Sequence, residues 1–124
     1  VAQTILRQSL SRDDGWPEGD PELWLDLTAE GRYPDGAVVD TEGCVWNAQW
    51  GSSRIARYAP DGQFLSAINF PTSQMSCPAF GGDRMQTLYA TSAAVGLNDR
   101  EIQAGQSFAC DTPYTGQPEH RVIL

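Results

Sequence analysis

Apolar and polar residues alternate along this chain in short runs, each closed by a cluster of Gly, Pro, Asp or Ser. Alternation with a period of two is the pattern of a half-buried β-strand. Thr4–Leu10 reads as a strand with mixed alternation, and Ser11–Pro21 as a hairpin loop rich in Gly, Pro and Asp. In Glu22–Leu27 a Leu falls at every second position, which predicts a half-exposed strand. Thr28–Tyr33 is a connection too short for more than a turn of helix. Beyond Pro34-Asp35-Gly36 the pattern becomes regular. A short apolar strand leads to a turn at Asp40–Gly43, and a strand over Cys44–Gln49 leads to Gly51-Ser52. A strand over Arg54–Tyr58 then turns at Pro60-Asp61-Gly62 into Gln63–Asn69. In such turns Gly supplies a positive φ, Asp bonds its own backbone and Pro presets φ.

A weaker copy follows. Ser76–Phe80, Thr87–Thr91 and Gln106–Asp111 match the first three strands of the block, and Val122–Leu124 reads as a short last strand. Val45 and Leu88 align at an offset of 43 residues, within the range of propeller repeats. Ala93–Ala104 is an insertion, expected as a loop or one helical turn. Ten strand-like runs with no sustained helical period mark an all-β chain. The expected fold is a β-propeller arc of about two and a half blades of antiparallel four-stranded sheets. Residues 1–33 form half a blade and a connection, 34–70 a blade and 71–124 the last blade. Such an arc leaves strand edges open, through which copies are expected to self-associate.

Composition narrows the partners. The chain has 124 residues, a net charge of −8, eight basic residues and no Lys, which argues against nucleic acid or an anionic membrane. No apolar run approaches the roughly 20 residues of a membrane span. The start lacks Met and the features of a signal peptide, so the chain is expected to begin inside a longer protein. Cys44, Cys77 and Cys110 lie 33 residues apart, too far for a zinc motif, and read as reduced, buried thiols of a cytoplasmic protein.

The candidate chemistry centres on Asp35, the carboxylate directly before a buried-looking strand, although Pro-Asp-Gly also reads as a plain turn. Ser76 and Cys77 open the equivalent strand of the next blade and are candidates to border the same channel. Trp50 is a candidate for stacking on a sugar ring, or for rim packing. Arg54 and Arg57 point to opposite faces of their strand and are expected to pair with acidic residues across blades. His120, the only histidine, suits a surface loop and supports no Ser-His-Asp triad. Asp13-Asp14-Gly15 lacks the spaced ligands of a calcium loop and reads as a turn.

Pro34-Asp35-Gly36 through Tyr58, then Ser76–Gly82, Leu88–Ser92 and Ala104–Cys110, resembles the C-terminal half of the regucalcin (senescence marker protein)/gluconolactonase family. The resemblance implies a six-bladed propeller holding one divalent metal (Ca, Zn, Mg or Mn) in its channel and hydrolysing sugar lactones. Of the family's metal ligands, an early Glu, a central Asn and the Asp of Pro-Asp-Gly, only the last maps here, onto Asp35. The other segments would lie before Val1. The resemblance therefore implies Asp35 as metal ligand and catalytic residue of a lactonase, and an isolated chain that binds no metal and has no activity; Trp50 and Ser76 are expected as substrate contacts from their positions in the blades alone. The alternatives are a non-catalytic, self-associating arc or a calcium-binding propeller fragment.

Overall fold

The computed structural model describes residues 2–97 and 101–119. Among them are nine strands and no helix: β1 (Thr4–Leu10), β2 (Pro17–Asp26), β3 (Tyr33–Val39), β4 (Val45–Trp50), β5 (Arg54–Tyr58), β6 (Phe64–Asn69), β7 (Met75–Gly81), β8 (Thr87–Ser92) and β9 (Ser107–Asp111). They form three antiparallel sheets in chain order, β1-β2, β3-β4-β5-β6 and β7-β8-β9. The expected last strand, Val122–Leu124, and His120 lie outside the described residues. The described part of the 93–104 insertion is turn and coil rather than helix. It is tied down where the carboxylate of Glu101 accepts from Ser73 N at 2.7 Å and from the Thr72 and Ser73 hydroxyls at 2.9 Å.

The middle sheet is buried on both faces, and the two faces are unlike. Trp46 and Ala48 of β4 and Ile55 of β5 pack against Met75, Phe80, Leu88 and Ala90 of the third sheet. Trp46 meets Phe80 edge-on, with ring centroids 5.6 Å apart. The other face sets Ala56 and Tyr58 against Leu27, Trp24 and Leu25 from the end of the first sheet. Face-to-face packing of successive sheets through alternate side chains is how propeller blades share a core.

Two expectations at the level of strands are corrected. The loop predicted over Ser11–Pro21 is shorter, because β2 begins at Pro17. Register shifts in β1 absorb the irregular stretch, and the Gln8 side chain donates to the carbonyls of Glu18 and Gly19 at 2.9 and 3.3 Å. Among the described residues β2 pairs on one side only, which leaves it an edge strand, where proline removes no ladder bond. The second correction concerns Pro34-Asp35-Gly36, which is not a turn before a strand. It lies inside β3, at a register shift between Pro34 and Ala37 that marks a bulge.

Gly36 is not required there for a positive φ, unlike Gly43 and Gly62. It is required because β7 crosses so closely. A Cβ at position 36 would lie 2.7 Å from Ser76 O and 2.8 Å from Cys77 Sγ. Gly36→Ala is expected to lower stability by about 1–3 kcal/mol, the usual cost of overpacking, in chemical denaturation. An unchanged midpoint would mean that β3 and β7 can separate freely.

Candidate functional site

The bulge in β3 sets the geometry of the site. Asn47 of β4 is buried, and its Nδ2 donates to the backbone carbonyls of Asp35 at 3.0 Å and Gly36 at 3.3 Å. These bonds satisfy the carbonyls that the bulge removes from the ladder. They also fix the backbone of Asp35 while leaving its side chain exposed. Asp35 lines a cavity of about 660 Å³ together with Gln3, Tyr33, Pro34 and Trp50. Tyr33 and Trp50 are direct cross-strand partners at the ends of β3 and β4. Cross-strand partners project to the same face of a sheet, so the two aromatics stand together beside the carboxylate.

Of the candidates read from the sequence, Asp35 and Trp50 share this cavity. Ser76 does not line it. The Ser76 hydroxyl is hydrogen-bonded to the Thr91 hydroxyl at 2.8 Å within the third sheet, and its backbone abuts Gly36. Gln3, Tyr33 and Asn47 were missed. A sequence signal existed only for Asn47, an amide in the apolar stretch Val45-Trp46-Asn47-Ala48. Gln3 reaches the cavity only through packing of the first sheet on the second.

Asp40 shows what the turn after β3 is for. The residue is fully buried. Its Oδ1 accepts from the backbone N–H groups of Glu42 at 2.9 Å and Cys44 at 3.0 Å. Its Oδ2 accepts from Trp46 Nε1 at 3.0 Å and Arg57 Nε at 2.8 Å. Arg57 also donates to Glu42 at 2.6 Å, and its guanidinium lies 3.8 Å from the Tyr114 ring centroid. The expectation that Arg57 pairs across blades is thus corrected, since Asp40 and Glu42 belong to the turn of its own sheet. Arg54 makes no ion pair among the described residues. It donates from Nε to Gln49 Oε1 at 2.6 Å and stacks on Phe64.

Asp40, Glu42 and Cys44 bring three potential metal-ligand atoms within 4.8 Å of one another. The donor chemistry does not suit a cation. Both oxygens of Asp40 are already taken up by four donors, one of them a guanidinium. Burial, with the Asp40 charge adding to it, raises the Cys44 thiol above its usual range and so disfavours the thiolate a metal needs. At Asp35 the donor type does suit one: an exposed carboxylate, with the Gln3 amide on the same cavity, offers hard oxygen ligands. The number falls short of the roughly six to eight oxygens that Ca²⁺ takes.

The cysteines are free, with Cys44 buried, Cys110 half-buried and Cys77 exposed. The expectation of three buried thiols fails at Cys77. A register shift between Met75 and Cys77 gives the inward positions of β7 to Met75, Pro78 and Phe80.

Residues 1–94 match the sequence profile of the SMP-30/Gluconolactonase/LRE-like region. The chain is 44% identical to an L-arabinolactonase of Azospirillum brasilense over 77% of its own length and 32% of that protein's. It is 30% identical to a pentonolactonase of Haloferax volcanii, over 97% of its own length and 44% of that protein's. The crystal structure of regucalcin from Agrobacterium tumefaciens, described as a calcium-binding protein, superposes with a TM-score of 0.89 at 33% identity. That match covers 98% of this chain and 43% of the regucalcin chain. The chain thus spans less than half the length of these relatives, and its sheets are propeller blades. On this profile match, which covers most of its length, the chain belongs to the SMP-30/gluconolactonase/LRE-like family.

Proposed function

We propose that this chain is the C-terminal portion of a six-bladed, metal-dependent sugar lactonase in which Asp35 is one ligand of a divalent cation. The observation that carries the reading is the shared cavity of Asp35, Tyr33 and Trp50. An exposed carboxylate beside two aromatic faces suits a ligand with a flat apolar ring face and a polar reacting edge. A bound divalent cation would polarise the lactone carbonyl as a Lewis acid. The Asp35 carboxylate can also accept a proton from the attacking water. Trp50 and Tyr33 would stack on the ring and hold its carbonyl toward Asp35. Water adds to the carbonyl and the ring C–O bond breaks, giving a hydroxy acid that ionises at neutral pH. The net charge of −8 then repels the aldonate product but not the neutral lactone.

One carboxylate and one amide do not hold such a cation tightly, so hydrolysis would need ligands supplied from outside this chain. The test is aldonolactone hydrolysis by the whole protein containing this chain, followed as acid release at constant pH. Activity is expected to disappear with a chelator and return with a divalent metal. Undiminished hydrolysis in chelator would overturn the metal-dependent mechanism. The free thiols support a reducing compartment, and we place the protein in the cytoplasm.

The second reading, a self-associating arc, is favoured by β1. Only β2 pairs with β1 among the described residues, and Leu6, Leu10 and Leu23 on this sheet are each 58% exposed. An unpaired edge carrying apolar side chains templates further strands. Light scattering on the isolated chain is expected to give a dimer or larger species at micromolar concentration, and a monomer throughout would exclude this reading. Calcium titration of the same sample checks the third reading, a calcium-binding fragment, which a flat calorimetric trace removes.

A further inference from the structure

A second cavity lies between the first two sheets, away from Asp35. Its volume is about 370 Å³, and its lining includes Glu30, Arg32, Arg54, Tyr58 and Phe64. The chain has 16 acidic and eight basic residues, so free cations are not expected to gather. Arg7 pairs with Glu22, and Arg57 with Asp40 and Glu42. Arg32 and Arg54 line one cavity, yet neither has a carboxylate partner among the described residues. Glu30 lines the same cavity without forming an ion pair to either.

The hydrogen-bond directions can be assigned. Arginine only donates, so the Gln49 atom facing Arg54 Nε at 2.6 Å must be Oε1. The Gln49 Nε2 therefore donates to the Tyr58 hydroxyl oxygen at 2.8 Å. Tyr58 is 3% exposed, and with its oxygen accepting, its own proton has no acceptor among the described residues. The Arg32 Nε is likewise buried without a partner. Arg54 is held in place by Gln49 and by the Phe64 ring, 5.4 Å from its guanidinium carbon, and its terminal nitrogens remain free to donate. The cavity thus gathers buried or preoriented donors and two positive charges, with the Glu30 carboxylate as the one opposing charge on its lining.

We propose that this cavity binds a small phosphate-class oxyanion, either free phosphate or the phosphate group of a phosphorylated sugar. A tetrahedral dianion matches the two guanidinium charges and accepts from several directions at once. The site is independent of lactone chemistry, because Asp35 belongs to a different cavity.

The test is calorimetry and thermal unfolding of the whole protein containing this chain with sodium phosphate, against sodium chloride at equal ionic strength. Saturable binding and a raised midpoint are expected with phosphate alone. The side chain of Arg32 makes no hydrogen bond among the described residues, so Arg32→Gln should fold normally and weaken phosphate binding about tenfold or more. Glu30→Gln should tighten binding, and Asp35→Ala should leave it unchanged. Glucose 6-phosphate binding more tightly than phosphate assigns the site to a phosphorylated sugar, and equal affinity assigns it to free phosphate. Absence of a phosphate effect beyond that of chloride, or equal binding by Arg32→Gln, overturns the proposal.

Discussion

Arg57→Ala is expected to lower stability by about 3–5 kcal/mol, the range for removing one partner of a buried ion pair. Both side chains are out of water, at 5% exposure for Arg57 and 1% for Asp40. Truncation leaves Asp40 charged, fully buried and short of one of its four donors. It also strips the guanidinium from the Tyr114 ring, 3.8 Å away. Since a domain is stable by only about 5–15 kcal/mol in total, this loss is large. Urea unfolding followed by tryptophan fluorescence, to which Trp46 with its indole bonded to Asp40 contributes, measures it. Arg54→Ala should cost less, because Arg54 forms no ion pair among the described residues.

The same pair predicts the acid limit of the fold. Burial is the largest influence on Asp40 and works against its charged form. Hydrogen bonds from Trp46, Arg57 and the Cys44 backbone, with the charge of Arg57, outweigh it and leave the pKa below the ordinary 3.8. A depressed folded-state pKa contributes stability above the unfolded value and loses it as pH falls through the folded value. The wild-type contribution is therefore intact above about pH 4 and lost only below 3.8. In Arg57→Ala burial has less to oppose it, so acid unfolding should begin at higher pH. An unchanged acid midpoint would falsify the assignment of Asp40 as the group responsible.

Asp35→Ala is expected to leave the fold intact and to cost the whole protein about 100-fold or more in lactone hydrolysis. Lewis-acid stabilisation is worth several kcal/mol, and each 1.4 kcal/mol is about a factor of ten in rate. The Asp35 side chain is exposed, and only its backbone carbonyl is held, by Asn47. Its removal should change stability by less than about 0.5 kcal/mol, as for a surface substitution. Metal binding measured on the same sample separates the roles. Loss of both metal and activity identifies a ligand, loss of activity with metal retained identifies a proton acceptor, and full activity removes Asp35 from the mechanism.

The legible part of this protein was local. Alternation located the strands from β4 through β6 nearly to the residue, because the side-chain period of a strand follows from its own backbone. Asp40–Gly43 and Pro60-Asp61-Gly62 were readable as turns, since their hydrogen bonds close within a few residues: Gly43 N donates to Asp40 O at 3.0 Å and Gly62 N to Ala59 O at 2.8 Å. Pro34-Asp35-Gly36 carried the same turn signal and misled. Its conformation is imposed by the amide of Asn47 and by the crossing of β7, both distant in sequence. Arg57 was assigned to the wrong partners for the same reason, because a period of two says which face a side chain takes but not which carboxylate waits there.

By itself, then, the sequence determined an all-β chain of repeated sheets and marked Asp35 and Trp50 as chemically suggestive. The tertiary structure alone decided that these two meet Tyr33 in one cavity, that Asp40 is a buried partner of Arg57 and not a metal ligand, and that Arg32 and Arg54 share a cavity between sheets. Strand identity is a property of neighbours along the chain. A site depends on which sheet faces packed together, and that follows from the whole pattern of burial at once.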